Sequence, residues 1–259
     1  MIITVTQVLI FLLIVSRMVG VFAFAPIFSH KQLITTGKVA IVIWTAGLLV
    51  FVIPLPNILP SNGLAYGLAI ITEVFIGSLI GFISDLFISG VEFCGTLMDT
   101  QAGLSVASML DPGSGKQVTL FSYMLKWASM MVFFAIDGHH MILTALVQSM
   151  TILPIGNPMS LAQVSEGAHY LVQLGGYVFY LGVQLAAPIL LVIFLVDFGF
   201  GMLNKVAEQV NVFQLGFQIK PTVSLIVFLA IIPGLNGRVY EIMEDVIEYI
   251  LKLFYALQG

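Results

Sequence analysis

Arg17, Glu73, Asp85, Lys126 and Asp137 sit inside apolar runs long enough to cross a bilayer. On a lone spanning helix each Arg or Asp costs ~2.5–3.5 kcal/mol on insertion scales, so such residues either carry chemistry or are paired with something. The chemistry open to the carboxylates is a proton relay, with Glu73, Asp85 and Asp137 serving a proton-coupled secondary transporter. The other reading is burial against protein, where the charges find partners. Spacing favours the second. Glu73, Gly77, Gly81, Asp85 and Ser89 recur every four residues and make one helix face, and Gly77-x-x-x-Gly81 admits another helix at close range. An ion pathway has no use for those glycines, and the inverted repeats that transporters favour are not evident. Arg17, Glu73, Gly77, Gly81, Asp85 and Asp137 are therefore expected as helix-packing and buried-charge positions.

Other chemistries find less support. Lys126 and Asp137 are eleven residues apart, hence on one face but roughly 16 Å apart along a helix, so each must find a partner elsewhere. His139 and His140 are adjacent and would point about 100° apart on a helix, which makes them poor co-ligands for one metal. No His-Glu-x-x-His or Cys-x-x-Cys pattern is present. Gly113-Ser114-Gly115-Lys116-Gln117 has the look of a phosphate loop, but Leu110 stands where the first glycine is needed and Gln117 where Ser or Thr is needed. No nucleophile and base stand at a usable spacing. The chain is expected to be no enzyme, with no metal and no cofactor.

The elements that must position these residues follow from composition. Of 259 residues, 59% are hydrophobic and 8% charged, and mean hydropathy is +1.09, which places the chain among polytopic α-helical membrane proteins. A net charge of −4 leaves no basic footprint for nucleic acid. The single cysteine, Cys94, excludes an internal disulfide. Apolar segments are predicted at about 4–25, 38–53, 65–94, 119–152, 168–198 and 222–232. The last, at roughly 11 residues, reaches about half of a ~30 Å core. The first is expected to remain uncleaved: residues 1–7 have no Lys or Arg, and Pro26 would follow the cut at Ala23-Phe24-Ala25. Residues 238–257 repeat apolar side chains at a 3.6-residue period opposite Glu241, Glu244, Asp245 and Glu248, with Glu248 placed to pair with Lys252. Such an acidic face is poorly suited to anionic lipid, and the helix is expected to pack on a protein neighbour or on the chain's own helices. If every segment crosses, Lys31, Lys38, Lys116, Lys205 and Lys220 put the N-terminus outside and the central connection in the cytoplasm.

That central connection, 94–118, is of another kind. Asp99, Thr100, Gln101 and Ser105 alternate with Gly95 and Gly103. An apolar run, Val106 to Leu110, follows, and then Asp111-Pro112-Gly113-Ser114-Gly115, which is dense turn chemistry. Backbone of this sort lies at membrane depth only where protein or water satisfies it. The rest of the chain is expected to frame it.

Four motifs make the sequence more specific. Glu92-Phe93-x-Gly95, Gln101-x-Gly103 and Asp111-Pro112 surround the central connection. Gly138-His139 is followed by Leu153-Pro154-Ile155-Gly156. Ala186-x-Pro188 lies in the fifth segment. Leu203-Asn204-Lys205 leads to Gln209-Val210-Asn211-Val212-Phe213 and Gly216-Phe217. In this order, and with this length, the chain resembles the FliR family of flagellar type III export-gate proteins, and more distantly the SctT/SpaR/YscT-type proteins of virulence systems. Glu208 and Gln218 depart from the family by standing where prolines are usual. Each restores a backbone N–H and permits helix continuation.

The resemblance implies a single domain over 1–259. The fold would be all-α and membrane-associated, with about six hydrophobic helices in hairpins and an amphipathic C-terminal helix, built into a helical hetero-oligomer. It implies FliP-like and FliQ-like subunits with which the chain completes a pore, FlhB-like and FlhA-like components beside it, membrane lipid around it, and unfolded flagellar proteins as cargo. The place would be the bacterial cytoplasmic membrane at the centre of the flagellar basal body. The plug of the channel would be formed by Ser105, Val106, Met109, Leu110, Asp111, Pro112, Gly113, Ser114 and Gly115, with Met109 and Leu110 as apolar stoppers, since Met adapts to varied partners. Gln209, Asn211, Phe213 and Gly216 would be interface or loop positions. Helices of such assemblies are buried mostly against protein in hairpins that need not cross, which weighs against six simple crossings.

Overall fold

The computed structural model describes residues 5–26, 28, 34–53, 62–105, 119–157, 159–207, 209 and 211–258. Regular structure among these is entirely α-helical: α1 Val5–Phe24, α2 Thr35–Val52, α3 Gly63–Ala102, α4 Leu120–Ala135, α5 Gly138–Ile152, α6 Leu161–Val206, α7 Val212–Glu244 and α8 Val246–Gln258. Five helical stretches are long and apolar enough to cross a membrane, and α4 with α5 would supply a sixth if taken together. The chain is an all-α membrane protein.

Several segment boundaries differ from those read off the hydropathy. The third and fifth segments extend to 40 and 46 residues, because polar residues at their ends, such as Asp99 and Asn204, continue the helical bonding instead of stopping it. The fourth is two helices. Asp137 adopts a left-handed conformation, φ 57° and ψ 34°, between them. Asp is one of the few non-glycine residues that tolerate that region. The sixth is not a short piece of roughly 11 residues but the 33-residue α7, which runs through Gln218, Pro221 and Pro233. A proline inside a helix costs ~3 kcal/mol or more; Phe228, Leu235, Val239, Ile242 and Met243, buried on both sides of Pro233, offset it. The amphipathic tail is divided, its first turns closing α7 and the remainder forming α8.

The chain divides into two compact units. The first contains residues 1–86, 136–175 and 244–259, thus α1, α2, the first part of α3, α5, the start of α6 and α8. Here α1 packs on α2, and α8 packs on α5. The apolar stripe of α8, namely Val246, Ile250, Leu253, Phe254 and Leu257, is buried, with Glu248 bridging to Lys252 at 2.7 Å on the outer side. The tail's neighbour is therefore its own chain. The second unit contains residues 87–135 and 176–243, thus the end of α3, α4, most of α6 and nearly all of α7. Its interior includes Phe87, Phe121, Phe133, Ile189 and Phe228, with the Phe121 and Phe228 rings 4.8 Å apart.

Candidate functional site

In the first unit, three glycines decide how close α1 and α3 come. A Cβ on Gly77 would lie 1.8 Å from the Arg17 carbonyl oxygen, one on Gly20 2.2 Å from the Val74 oxygen, and one on Gly81 2.7 Å from the Val21 oxygen. Backbone therefore meets backbone along the Gly77/Gly81 face. At that contact Arg17 and Glu73 are wholly enclosed. The Arg17 Nε donates to Glu73 Oε2 at 2.5 Å, Nη1 donates to Ser149 Oγ at 3.0 Å, and Nη2 donates to the Leu153 carbonyl at 3.0 Å. The second Glu73 oxygen accepts the Gly156 amide at 2.9 Å, and Gly156 has φ +86°. The buried charge thus ties α1, α3, α5 and the turn after α5 into one network. Ser149, Leu153 and Gly156 were missed in the sequence as its members. The Leu-Pro-Ile-Gly motif was a signal for Leu153 and Gly156, and Ser149 had none.

The remaining charges of the first unit are placed differently. Asp85 is half-buried and engaged by neighbours. Asp137 is not enclosed: its side chain is 72% exposed, because the left-handed break puts it at a helix start. The expectation that His139 and His140 diverge is also corrected. Their rings lie 4.4 Å apart, and donor atoms of Asp137, His139 and His140 come within 4.8 Å of one another, since Asp137 lies off the helix and turns back over its first turn. Asp137 and His140 are exposed and His139 is half-buried; such a group forms without an ion, and no resident metal is assigned to it. With both Glu73 oxygens committed and Asp137 at the surface, a relay through these carboxylates has no support.

The second unit holds the motifs of the central connection. The end of α3 and the start of α4 run antiparallel in a regular register. Lys126 Nζ bonds Glu92 Oε2 at 2.7 Å. One turn on, a Cβ at Gly95 would lie 2.3 Å from the Ser122 Cα. A further turn on, Asp99 reaches the first turn of α4: Oδ1 accepts the Phe121 amide at 3.0 Å, Oδ2 accepts the Ser122 amide at 2.9 Å, and Oδ2 also accepts the Thr119 hydroxyl. Helix α3 then ends on Gly103, φ +78°. The Leu104 amide bonds the Asp99 carbonyl at 3.0 Å and the Gly103 amide bonds the Thr100 carbonyl at 3.2 Å, which is the Schellman arrangement that glycine serves best.

Beside this stem, within the same unit, is an open cleft of about 510 Å³. Gln101 and Gly103 line one side, Asn204 of α6 another, and Phe213, Gly216 and Phe217 of α7 a third. A 2.5 Å bridge from Lys220 to Asp197 joins α7 to α6 there. The structure thereby brings together two motifs that lie more than a hundred residues apart in the sequence. Asn211 is the N-cap of α7, its side-chain oxygen accepting the Gln214 amide at 3.2 Å, as an Asn in that place commonly does. Gln209 is exposed. Ser105 is half-buried at the end of the stem. Val106, Met109, Leu110, Asp111, Pro112, Gly113, Ser114 and Gly115 lie outside the described residues.

Comparison with known proteins covers most of the chain. Residues 8–246 match the family described as bacterial export proteins, family 1. The flagellar biosynthetic protein FliR of Pectobacterium carotovorum subsp. carotovorum is 28% identical over 239 residues, covering 89% of this chain and 90% of that protein. FliR of Bacillus subtilis (strain 168) is 24% identical over 246 residues, covering 94% and 95%. The Yop proteins translocation protein T of Yersinia pestis is 25% identical over 186 residues, covering 72% and 71%.

Proposed function

Because the chain belongs to the bacterial export proteins, family 1, we propose that it completes the pore of a flagellar type III protein export gate. In this reading it joins FliP-like and FliQ-like subunits in the bacterial cytoplasmic membrane, at the centre of the flagellar basal body. FlhB-like and FlhA-like components stand beside it, and unfolded flagellar proteins pass through. The chain is a structural part of the secretion apparatus, and other components supply the driving force.

The observation that carries the reading is the match over residues 8–246. The α3–α4 stem adds physical support. A gate that passes extended polypeptides must be shut to ions at rest, and an apolar loop between two helices held in register can block a lumen without a specific side-chain code. Residues 105–115, with Met109 and Leu110 as stoppers, fill that role here. Deletion of residues 108–114 tests it: the complex assembles as before, and the membrane becomes leaky to ions. Assembly at the ordinary level with unchanged conductance would count against the plug.

A further inference from the structure

We propose that Asp99 is a positioning residue that holds the two ends of the central connection together, and that closure of the channel depends on it; the dependence on closure rests on the gate reading above. No side chain of Asp99 is exposed, and one residue serves both ends. Its backbone carbonyl accepts the Leu104 amide where α3 terminates, while its carboxylate accepts the Phe121 and Ser122 amides and the Thr119 hydroxyl where α4 begins.

A helix start leaves amides without intrahelical partners, and a local side chain usually takes one of them. Thr119 stands at that local position, yet its hydroxyl is donated to Asp99 instead. The cap therefore comes from across the connection, so α4 can begin only where the end of α3 lies. The negative charge also meets the positive end of the α4 peptide dipoles. Charge-assisted bonds of this type are about twice as strong as neutral ones.

An amide cannot substitute. Asn offers one acceptor oxygen and turns an NH₂ toward a donor, so at least one buried amide or hydroxyl loses its bond. The other contacts of the stem differ in kind. Lys126 and Glu92 are partly exposed, and Gly95 supplies proximity without direction. The Asp99 carboxylate is the buried polar link from the end of α3 to the first turn of α4, and its loss releases that link while the main-chain bond to Leu104 remains.

The test uses the assembled complex, with nitroxide labels on Thr96→Cys and Leu120→Cys, both exposed positions; the buried Cys94 labels slowly and serves as background. The native stem gives one narrow separation. In Asp99→Asn the separated population rises roughly tenfold, the factor typical for a bond to a charged group, and resting ion leak rises with it. Thr119→Val, which removes one donor and keeps both amide bonds, falls between the two, so the inference can be tested even if Asp99→Asn assembles poorly. An unchanged separation in Asp99→Asn overturns the anchoring role whatever the leak does. A broadened separation without leak, where deletion of 108–114 does leak, overturns the dependence of closure on Asp99. Should that deletion itself not leak, the gate reading falls, while a broadened separation still upholds Asp99 as the anchor.

Discussion

Arg17 shows what a single buried charge requires. Its guanidinium has three partners, and Glu73 has a second one in the Gly156 amide, so neither charge is left without compensation. Removing one partner of such a pair costs ~3–5 kcal/mol, while apolar replacement of both is far milder. Arg17→Met is expected to lower unfolding stability in detergent by that amount. Arg17→Met with Glu73→Leu should cost less than the two single changes added together, with Ser149 and the Leu153 and Gly156 backbone groups retaining a residual penalty. Strict additivity across the cycle would show that the pair does not act as a unit. Gly77→Ala is expected to be comparably severe, because the new Cβ would meet the Arg17 carbonyl at 1.8 Å, and backbone cannot step aside as a flexible side chain can.

Among elements, α8 separates packing from surface charge. Leu253 and Phe254 are fully enclosed, whereas the Glu248–Lys252 bridge lies at the surface. Phe254→Ala should destabilise the first unit by ~3–5 kcal/mol through lost burial and a cavity. Glu248→Gln should change it by no more than about 0.5 kcal/mol, as exposed i,i+4 pairs do. Denaturant titration of both variants in one detergent checks the contrast, and equal effects would mean that α8 is held by charge instead of packing. The same logic explains why α7 continues past Pro233: buried side chains on each side outweigh one missing amide.

For the molecule as a whole, the outer faces are as informative as the interiors. Helix α2 buries only Val42 and Ala46, while Trp44 is 73%, Phe51 68% and Val52 73% exposed. Apolar surface of this extent needs lipid or other polypeptides over it. Mild extraction is expected to bring the chain out in one large complex with FliP-like and FliQ-like subunits, as read by size-exclusion chromatography with mass determination. A monodisperse solitary chain that supports export without companions would overturn the assembly reading.

Periodicity alone determined much of this. The apolar runs specified helices, the four-residue spacing of Gly77 and Gly81 specified a close-approach face, and the tail pattern specified both an apolar stripe and the Glu248–Lys252 pair. Each of these is a local regularity, set by residues within a turn or two of one another. The order of the motifs likewise carried the family. What the sequence left open were partners far along the chain: Glu73 for Arg17 at a separation of 56 residues, and the α4 amides for Asp99 across the central connection. The break at Asp137 and the passage of α7 through Pro221 and Pro233 were also decided by tertiary structure. A local signal states the cost of a helix break or of a buried charge, and only the packed neighbours determine whether that cost is met.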